Sequence, residues 1–123
     1  MEPQNSHELE ERTFEFARRV RDFIKKLPET TANLEDVKRL IRASGAVGSF
    51  YLGANEALNK KEFVRGVKLA RKKAKESRYR LRLVDTGGAP ELDQEREDLI
   101  LEAGGLMAVF GEITDFDIRN VRF

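Results

Sequence analysis

The sequence predicts an all-α fold, an up-down-up-down four-helix bundle. Apolar residues recur at spacings of three and four through four consecutive stretches, and turn-forming residues separate these at Pro28 and at Thr86-Gly87-Gly88-Ala89-Pro90. No stretch shows the strict apolar/polar alternation of a half-buried strand. The 123 residues suffice for one buried core and fall short of two, so one four-helix-bundle domain is expected over 1-123.

The first helix is expected from about Glu8 to Leu27, where Phe16, Val20, Phe23 and Leu27 share a face with Ala17 and Ile24 beside them. Pro28 stops it. The second is expected over residues 31–59, capped by Thr31 or Asn33, with Val37, Leu40, Ile41, Ser44, Val47, Tyr51, Ala54 and Leu58 in one stripe. At about 1.5 Å per residue it is about 40 Å long. Gly45, Gly48 and Gly53 each cost it about 1 kcal/mol relative to alanine, which a closely packed neighbouring backbone would explain.

The third helix is expected over residues 60–84. Phe63, Val67, Ala70, Ala74, Ser77, Leu81 and Val84 alternate spacings of four and three, a coiled-coil-like seam. Its junction with the second is weakly marked: Asn59 can end one helix or cap the next. The fourth is expected over residues 90–114, with Leu92, Leu99, Ala103, Leu106, Phe110 and Ile113 inward. Ile100, Leu101, Met107 and Val109 widen its apolar surface, and Phe14 on the first helix has no assigned partner; either a wide internal stripe or a contact between copies of the chain accounts for them. The segment from Asp115 onward is expected to be extended or frayed.

Charged residues make up 37% of the chain, in keeping with helices that carry long solvated faces. Cysteine is absent, which removes disulfides, thiolate metal ligands and cysteine nucleophiles together. No apolar run approaches the roughly 18 residues of a membrane span, and the opening MEPQNSHELEE lacks the basic and apolar regions of a secretory signal. A cytoplasmic protein with no membrane partner is expected.

The net charge of +1 hides a segregation. From Lys60 to Val84 there are eleven basic residues against Glu62 and Glu76, a net of +9; from Asp85 to Asp117 there are ten acids against Arg96, a net of −9. An acidic fourth helix beside a basic third one would let their flanks attract. On the third helix, Lys61, Arg65, Lys68, Lys72, Lys75, Tyr79 and Arg82 repeat the rhythm of the apolar seam on the opposite side. Cations spaced along a rod can displace the counterions of a phosphate backbone, and Tyr79 can stack on an unpaired base. The same residues are also good helix formers for a solvated face. Like charges four residues apart repel, however, and a face built for solubility mixes signs.

Other motifs read as structural. The small-residue segment Ser44–Ala57 has glycine spacing faintly like a phosphate-gripping loop, but the helical rhythm on both sides and the missing strand favour close helix packing. Asp85-Thr86-Gly87 matches the short signature of aspartic proteases, yet it lies between helical patterns and reads as a helix end and turn. His7, the single histidine, lies in a polar N-terminal segment without convergent partners. The carboxylates Glu91, Asp93, Glu95, Glu97 and Asp98 suit a helix N-terminus, and no histidine accompanies them as in di-metal bundles. No catalytic residue, metal site or cofactor is expected.

Four segments in order carry a family resemblance: Arg12-Thr13-Phe14-Glu15-Phe16-Ala17, Leu40-Ile41-Arg42-Ala43-Ser44-Gly45-Ala46-Val47-Gly48, Ala54-Asn55-Glu56-Ala57, and Lys73-Ala74-Lys75-Glu76-Ser77-Arg78-Tyr79-Arg80-Leu81-Arg82-Leu83. The chain resembles, from about Arg12 to Phe110, the four-helix-bundle proteins encoded in intervening sequences of bacterial 23S rRNA genes, in the superfamily of Avd, the accessory protein of diversity-generating retroelements. The resemblance implies a protomer of a ring-like homopentamer with a basic surface for nucleic acid and, as for Avd, a reverse transcriptase partner. Phe50 stands where the family usually has asparagine, Gly53 where it has an acid, and Arg80 where many members have tryptophan.

The function expected is that of a non-enzymatic nucleic-acid-binding or nucleoprotein-accessory module, contacting RNA or DNA through Lys61, Arg65, Lys68, Arg71, Lys72, Lys75, Arg78, Tyr79 and Arg82. The alternative is a homo-oligomeric interaction scaffold, for example a reverse transcriptase accessory, with no direct nucleic-acid binding.

Overall fold

Four α-helices, α1 (Ser6–Ile24), α2 (Thr31–Asn55), α3 (Lys60–Leu83) and α4 (Pro90–Asn120), make up the computed structural model, which describes residues 5–120, with side chains to residue 116. There is no strand among the described residues. Each helix packs on its neighbours in the chain and α1 closes against α4, so the chain runs up, down, up, down around one core. Antiparallel neighbours are visible in cross-helix pairs: Arg71 beside Gly111 and Arg78 beside Gly104 between α3 and α4, Arg12 to Glu102 between α1 and α4, and Lys26, just beyond α1, to Glu95 of α4.

The core consists of the residues that the periodicity turns inward. Phe16, Val20 and Phe23 of α1, Leu40, Val47 and Tyr51 of α2, Val67, Ala70, Ala74 and Leu81 of α3, and Leu99, Ala103, Leu106 and Phe110 of α4 are buried in one cluster. Each large side chain there contributes about 1.5–3 kcal/mol relative to exposure. Ile100, Met107 and Val109 also pack into or against this cluster, so the wide stripe of α4 is mostly internal; Leu101 stays outside.

Helix ends differ from expectation where local hydrogen bonds decide them. Asn5 caps α1 by accepting from the Glu8 amide, so the helix starts earlier and His7 lies exposed in its first turn rather than in a tail. The chain tightens before Pro28, with Lys26 and Leu27 amides bonded to the Phe23 and Ile24 carbonyls, and α1 ends at Ile24. Thr30, not Thr31 or Asn33, caps α2. The same tightening at Glu56 and Ala57 ends α2 at Asn55; Asn59 then caps α3, and Leu58 falls in the connection, 92% exposed, instead of completing the α2 stripe. Gly87 and Gly88, with φ of 69° and 77°, form the turn into Pro90, the first residue of α4. α4 continues helical from Asp115 to Asn120, where an extended or frayed segment was expected; residues 121–123 lie outside the described residues.

Small residues set the closest helix contacts. A Cβ on Gly66 would lie 2.7 Å from Ala54 Cβ, so α2 and α3 meet there nearly backbone to backbone. A Cβ on Gly48 would lie 2.9 Å from Thr13 Oγ1 on α1. Close packing therefore explains Gly48, whereas Gly53 has no neighbour within 4 Å of a built Cβ and is exposed, and the steric reason expected for it is absent.

Candidate functional site

α3 turns its seam residues Val67, Ala70, Ala74, Ser77 and Leu81 into the core, which leaves the opposite side to water. Lys61, Arg65, Lys68, Lys72, Lys75, Tyr79 and Arg82 are all exposed on that side. Arg71 is exposed and Arg78 half-buried on the flank toward α4. At about 1.5 Å per residue the row from Lys61 to Arg82 is about 31 Å long.

Among the described residues, none of these cations has a carboxylate within 4.0 Å; the ion pairs of α3 are Lys73 with Glu76 and Arg80 with Asp36. Among the described residues the expected attraction between the flanks of α3 and α4 does not take the form of ion pairs, and the reason is visible on α1 and just beyond its end. Glu102 receives a two-pronged bond from Arg12, at 2.8 and 2.9 Å, and Glu95 receives Lys26 at 2.8 Å. Asp93 is engaged by Thr86 and Arg96 inside its own turn. Glu102 is thus directed to α1, Glu95 to Lys26 just beyond it and Asp93 to the helix start, while the side of α4 that meets the α3 flank carries Gly104 and Gly111, with Asp115 lining the groove beside Arg71.

Those two glycines extend the cationic surface. Arg78 Nη1 lies 3.8 Å from the position of a Cβ on Gly104, and Arg71 Nε lies 3.7 Å from that on Gly111, so both guanidinium groups rest on the α4 backbone. A groove of about 460 Å³ runs beside them, lined by Lys68, Arg71, Lys72, Lys75, Met107, Thr114 and Asp115. The surface is thus an outer row on α3 and an inner row laid across α4. Neither glycine stood out in the sequence, although the seven-residue interval from Gly104 to Gly111 equals that from Arg71 to Arg78.

Tyr79 occupies the row between Lys75 and Arg82 and is 54% exposed. The guanidinium carbon of Arg80 lies 5.5 Å from its ring centroid, a cation–π contact. Arg80 also reaches to 4.0 Å from Asp36 on α2. This pairing was not legible in the sequence, since adjacent helical residues point in different directions.

The other sequence motifs have structural places. Asp85 accepts the Gly87 amide through Oδ1 and joins Asn33 through its backbone, so Asp85-Thr86-Gly87 is the turn between α3 and α4. Among the described residues no three His, Asp or Glu side chains converge as a metal-binding group. None of the described helices is long and apolar enough to cross a membrane. Between α1 and α2 lies an apolar groove of about 430 Å³, lined by Phe14, Ala17, Gly45, Gly48 and Leu52, with Glu10, Arg18 and Arg21 at its rim. Phe14 is 60% exposed there.

No protein-family model matches the chain, and no curated protein matches it. A solved structure does: a protein of unknown function from the S23 ribosomal protein family of Bacteroides thetaiotaomicron superposes with a TM-score of 0.74, covering 86% of this chain and 97% of its own, at 20% sequence identity. At that identity the likeness shows the shared four-helix fold.

Proposed function

We propose that the chain is a non-enzymatic nucleic-acid-binding or nucleoprotein-accessory module that grips phosphates along α3. The observation that carries this reading is the row of Lys61, Arg65, Lys68, Lys72, Lys75 and Arg82, exposed and without carboxylate partners among the described residues. Stability alone does not account for it. Lysines four residues apart repel, and Lys60 and Lys61 stand at the helix N-terminus, where the macrodipole disfavours cations by about 0.3–1 kcal/mol. A polyanion compensates both costs and gains the entropy of released counterions.

A structural neighbour bearing a ribosomal-protein family name is in keeping with an RNA-bound, cytoplasmic setting. The resemblance to proteins of 23S rRNA intervening sequences and to Avd points the same way, and adds a homopentamer with, as for Avd, a reverse transcriptase partner. The decisive experiment is retention of labelled RNA and DNA across a salt series. Affinity is expected to fall on a log–log plot with a slope near 0.9 per duplex phosphate neutralised, or about 0.7 per single-strand phosphate. Replacing Lys68, Lys72 and Lys75 by glutamine lowers that slope by about 2–3 and leaves the helical content intact. Failure to retain any nucleic acid at low ionic strength abolishes the reading.

The second reading is a homo-oligomeric scaffold with no nucleic-acid contact, favoured by the apolar α1–α2 groove at Phe14 and Leu52 and by Leu101, 71% exposed on α4. Solution mass and nucleic-acid retention, measured for wild type, L101E and K68E/K72E, separate the two. Assembly lost in L101E with no nucleic-acid retention by wild type favours the scaffold; retention lost in K68E/K72E with unchanged mass favours the phosphate grip.

A further inference from the structure

We infer that the ridge selects unpaired strands over duplexes, with Tyr79 as the platform on which one base stacks. This rests on the reading that α3 binds nucleic acid, and it names the form of nucleic acid bound.

Tyr79 takes the place in the four-three rhythm where a further cation would complete the row, between Lys75 and Arg82. The residue is more than half exposed. A tyrosine in open water on a helix surface has little reason to be there for stability, since the inward seam of α3 is already filled by Ala74, Ser77 and Leu81. Behind the ring, Arg80 is anchored rather than free. Its side chain is only 22% exposed, it approaches Asp36 on α2, and its Nε is buried with no hydrogen-bond partner. An arginine placed only for hydrogen bonding would satisfy that donor. Here the guanidinium is held against the ring, which fixes the ring and leaves an aromatic surface to solvent.

The two forms of nucleic acid meet this arrangement differently. A duplex presents phosphates and groove edges, and its base faces are covered by their neighbours, so a ring within a phosphate-binding row finds nothing to stack on. An unpaired strand presents phosphates and base faces together. A base can then lie on Tyr79 while the flanking phosphates meet Lys75 and Arg82, the combination of basic track and aromatic platform that single-strand binders use. Such stacking tolerates any base, so little sequence preference is expected from it.

The test compares a fluorescein-labelled unpaired 15-mer, the same sequence as a duplex, an abasic 15-mer and inorganic polyphosphate, each titrated with wild-type protein, Tyr79→Ala and Tyr79→Phe. The unpaired strand is expected to bind wild type about tenfold or more tighter than the abasic strand, and Tyr79→Ala to lose about ten- to a hundredfold for the unpaired strand alone. Tyr79→Phe retains the affinity, because the ring and not the hydroxyl stacks. Duplex, abasic strand and polyphosphate change less than about twofold with either variant. Equal binding of strand and duplex, or an unpaired-strand affinity unmoved by Tyr79→Ala, overturns the inference while leaving the phosphate grip standing. No binding of any of the four probes overturns both.

Discussion

Asn33 and Asp85, fifty-two residues apart, bind each other on both sides of the Asn33 amide: Oδ1 accepts from the Asp85 amide at 2.9 Å and Nδ2 donates to the Asp85 carbonyl at 2.8 Å. The same Nδ2 donates to the Pro28 carbonyl at 2.9 Å, and Asn33 is only 2% exposed. One side chain therefore joins the α1–α2 connection to the end of α3. Asn33→Ala is expected to cost about 2–3 kcal/mol, since three bonds to backbone groups are lost at once in a buried site. Asn33→Asp replaces the donor by a carboxylate oxygen facing two carbonyls. It is expected to destabilise more at pH 7 than at pH 4, where a protonated acid can donate again, as urea midpoints at the two pH values would report.

Gly66 and Gly53 predict opposite signs for the same substitution. Gly66→Ala drives a methyl to 2.7 Å from Ala54 Cβ and 3.1 Å from its Cα, so the α2 and α3 backbones must separate. A loss of about 1–3 kcal/mol is expected despite alanine's better helix propensity. Gly53→Ala meets no atom within 4 Å on an exposed helical turn and is expected to gain about 0.5–1 kcal/mol. Thermal midpoints moving in the same direction would contradict this packing of α2 on α3.

These residues mark how far the sequence could be read. The α3 seam from Val67 to Leu81 and the cationic row opposite follow from one periodicity, because a helix that buries one face must expose the other. Leu58 misled, since its spacing fits the α2 stripe while i→i−3 bonds at Glu56 and Ala57 had already ended the helix. The charge blocks of α3 and α4 were legible in sign but not in partner. Which neighbour receives Glu95 and Glu102 depends on rotation about the α4 axis, and the answer, Lys26 just beyond α1 and Arg12 within it, takes these two acids away from α3. Arg71 over Gly111 and Arg78 over Gly104 were hidden for the same reason: a small residue announces a close neighbour without saying whose side chain it is.

Arg12 and Glu102 should behave as a coupled pair. The two-pronged contact is about three-quarters buried, and the Glu102 hydrogen bond holds the Arg12 pKa above its ordinary value against the opposing effect of burial. Gly105 makes room for it, because a Cβ there would stand 2.7 Å from Arg12 Nη2. A double-mutant cycle with Arg12→Met and Glu102→Gln is expected to give a coupling of about 1 kcal/mol, stronger than an exposed pair such as Lys38 with Glu35. Additive effects of the two substitutions would show that the contact does not hold α1 to α4.

Tyr51 predicts an alkaline limit to stability. Burial raises its pKa above the ordinary 10.0, the hydrogen bond with Asn55 opposes that shift, and the Glu10 charge adds to it. The folded state thus favours the neutral phenol, which also packs against Phe110 with ring centroids 5.6 Å apart. A raised pKa contributes stability that is fully present below the unfolded value, near pH 10, and is lost as pH rises through the folded value. Lysines titrate in the same range, so wild type alone does not isolate the effect. The difference between wild type and Tyr51→Phe does: phenylalanine keeps the ring against Phe110 and removes the titrating group. Denaturation midpoints taken from pH 9 to pH 11.5 are expected to fall more steeply for wild type, and parallel profiles would mean that the phenol ionises as readily in the bundle as in the unfolded chain.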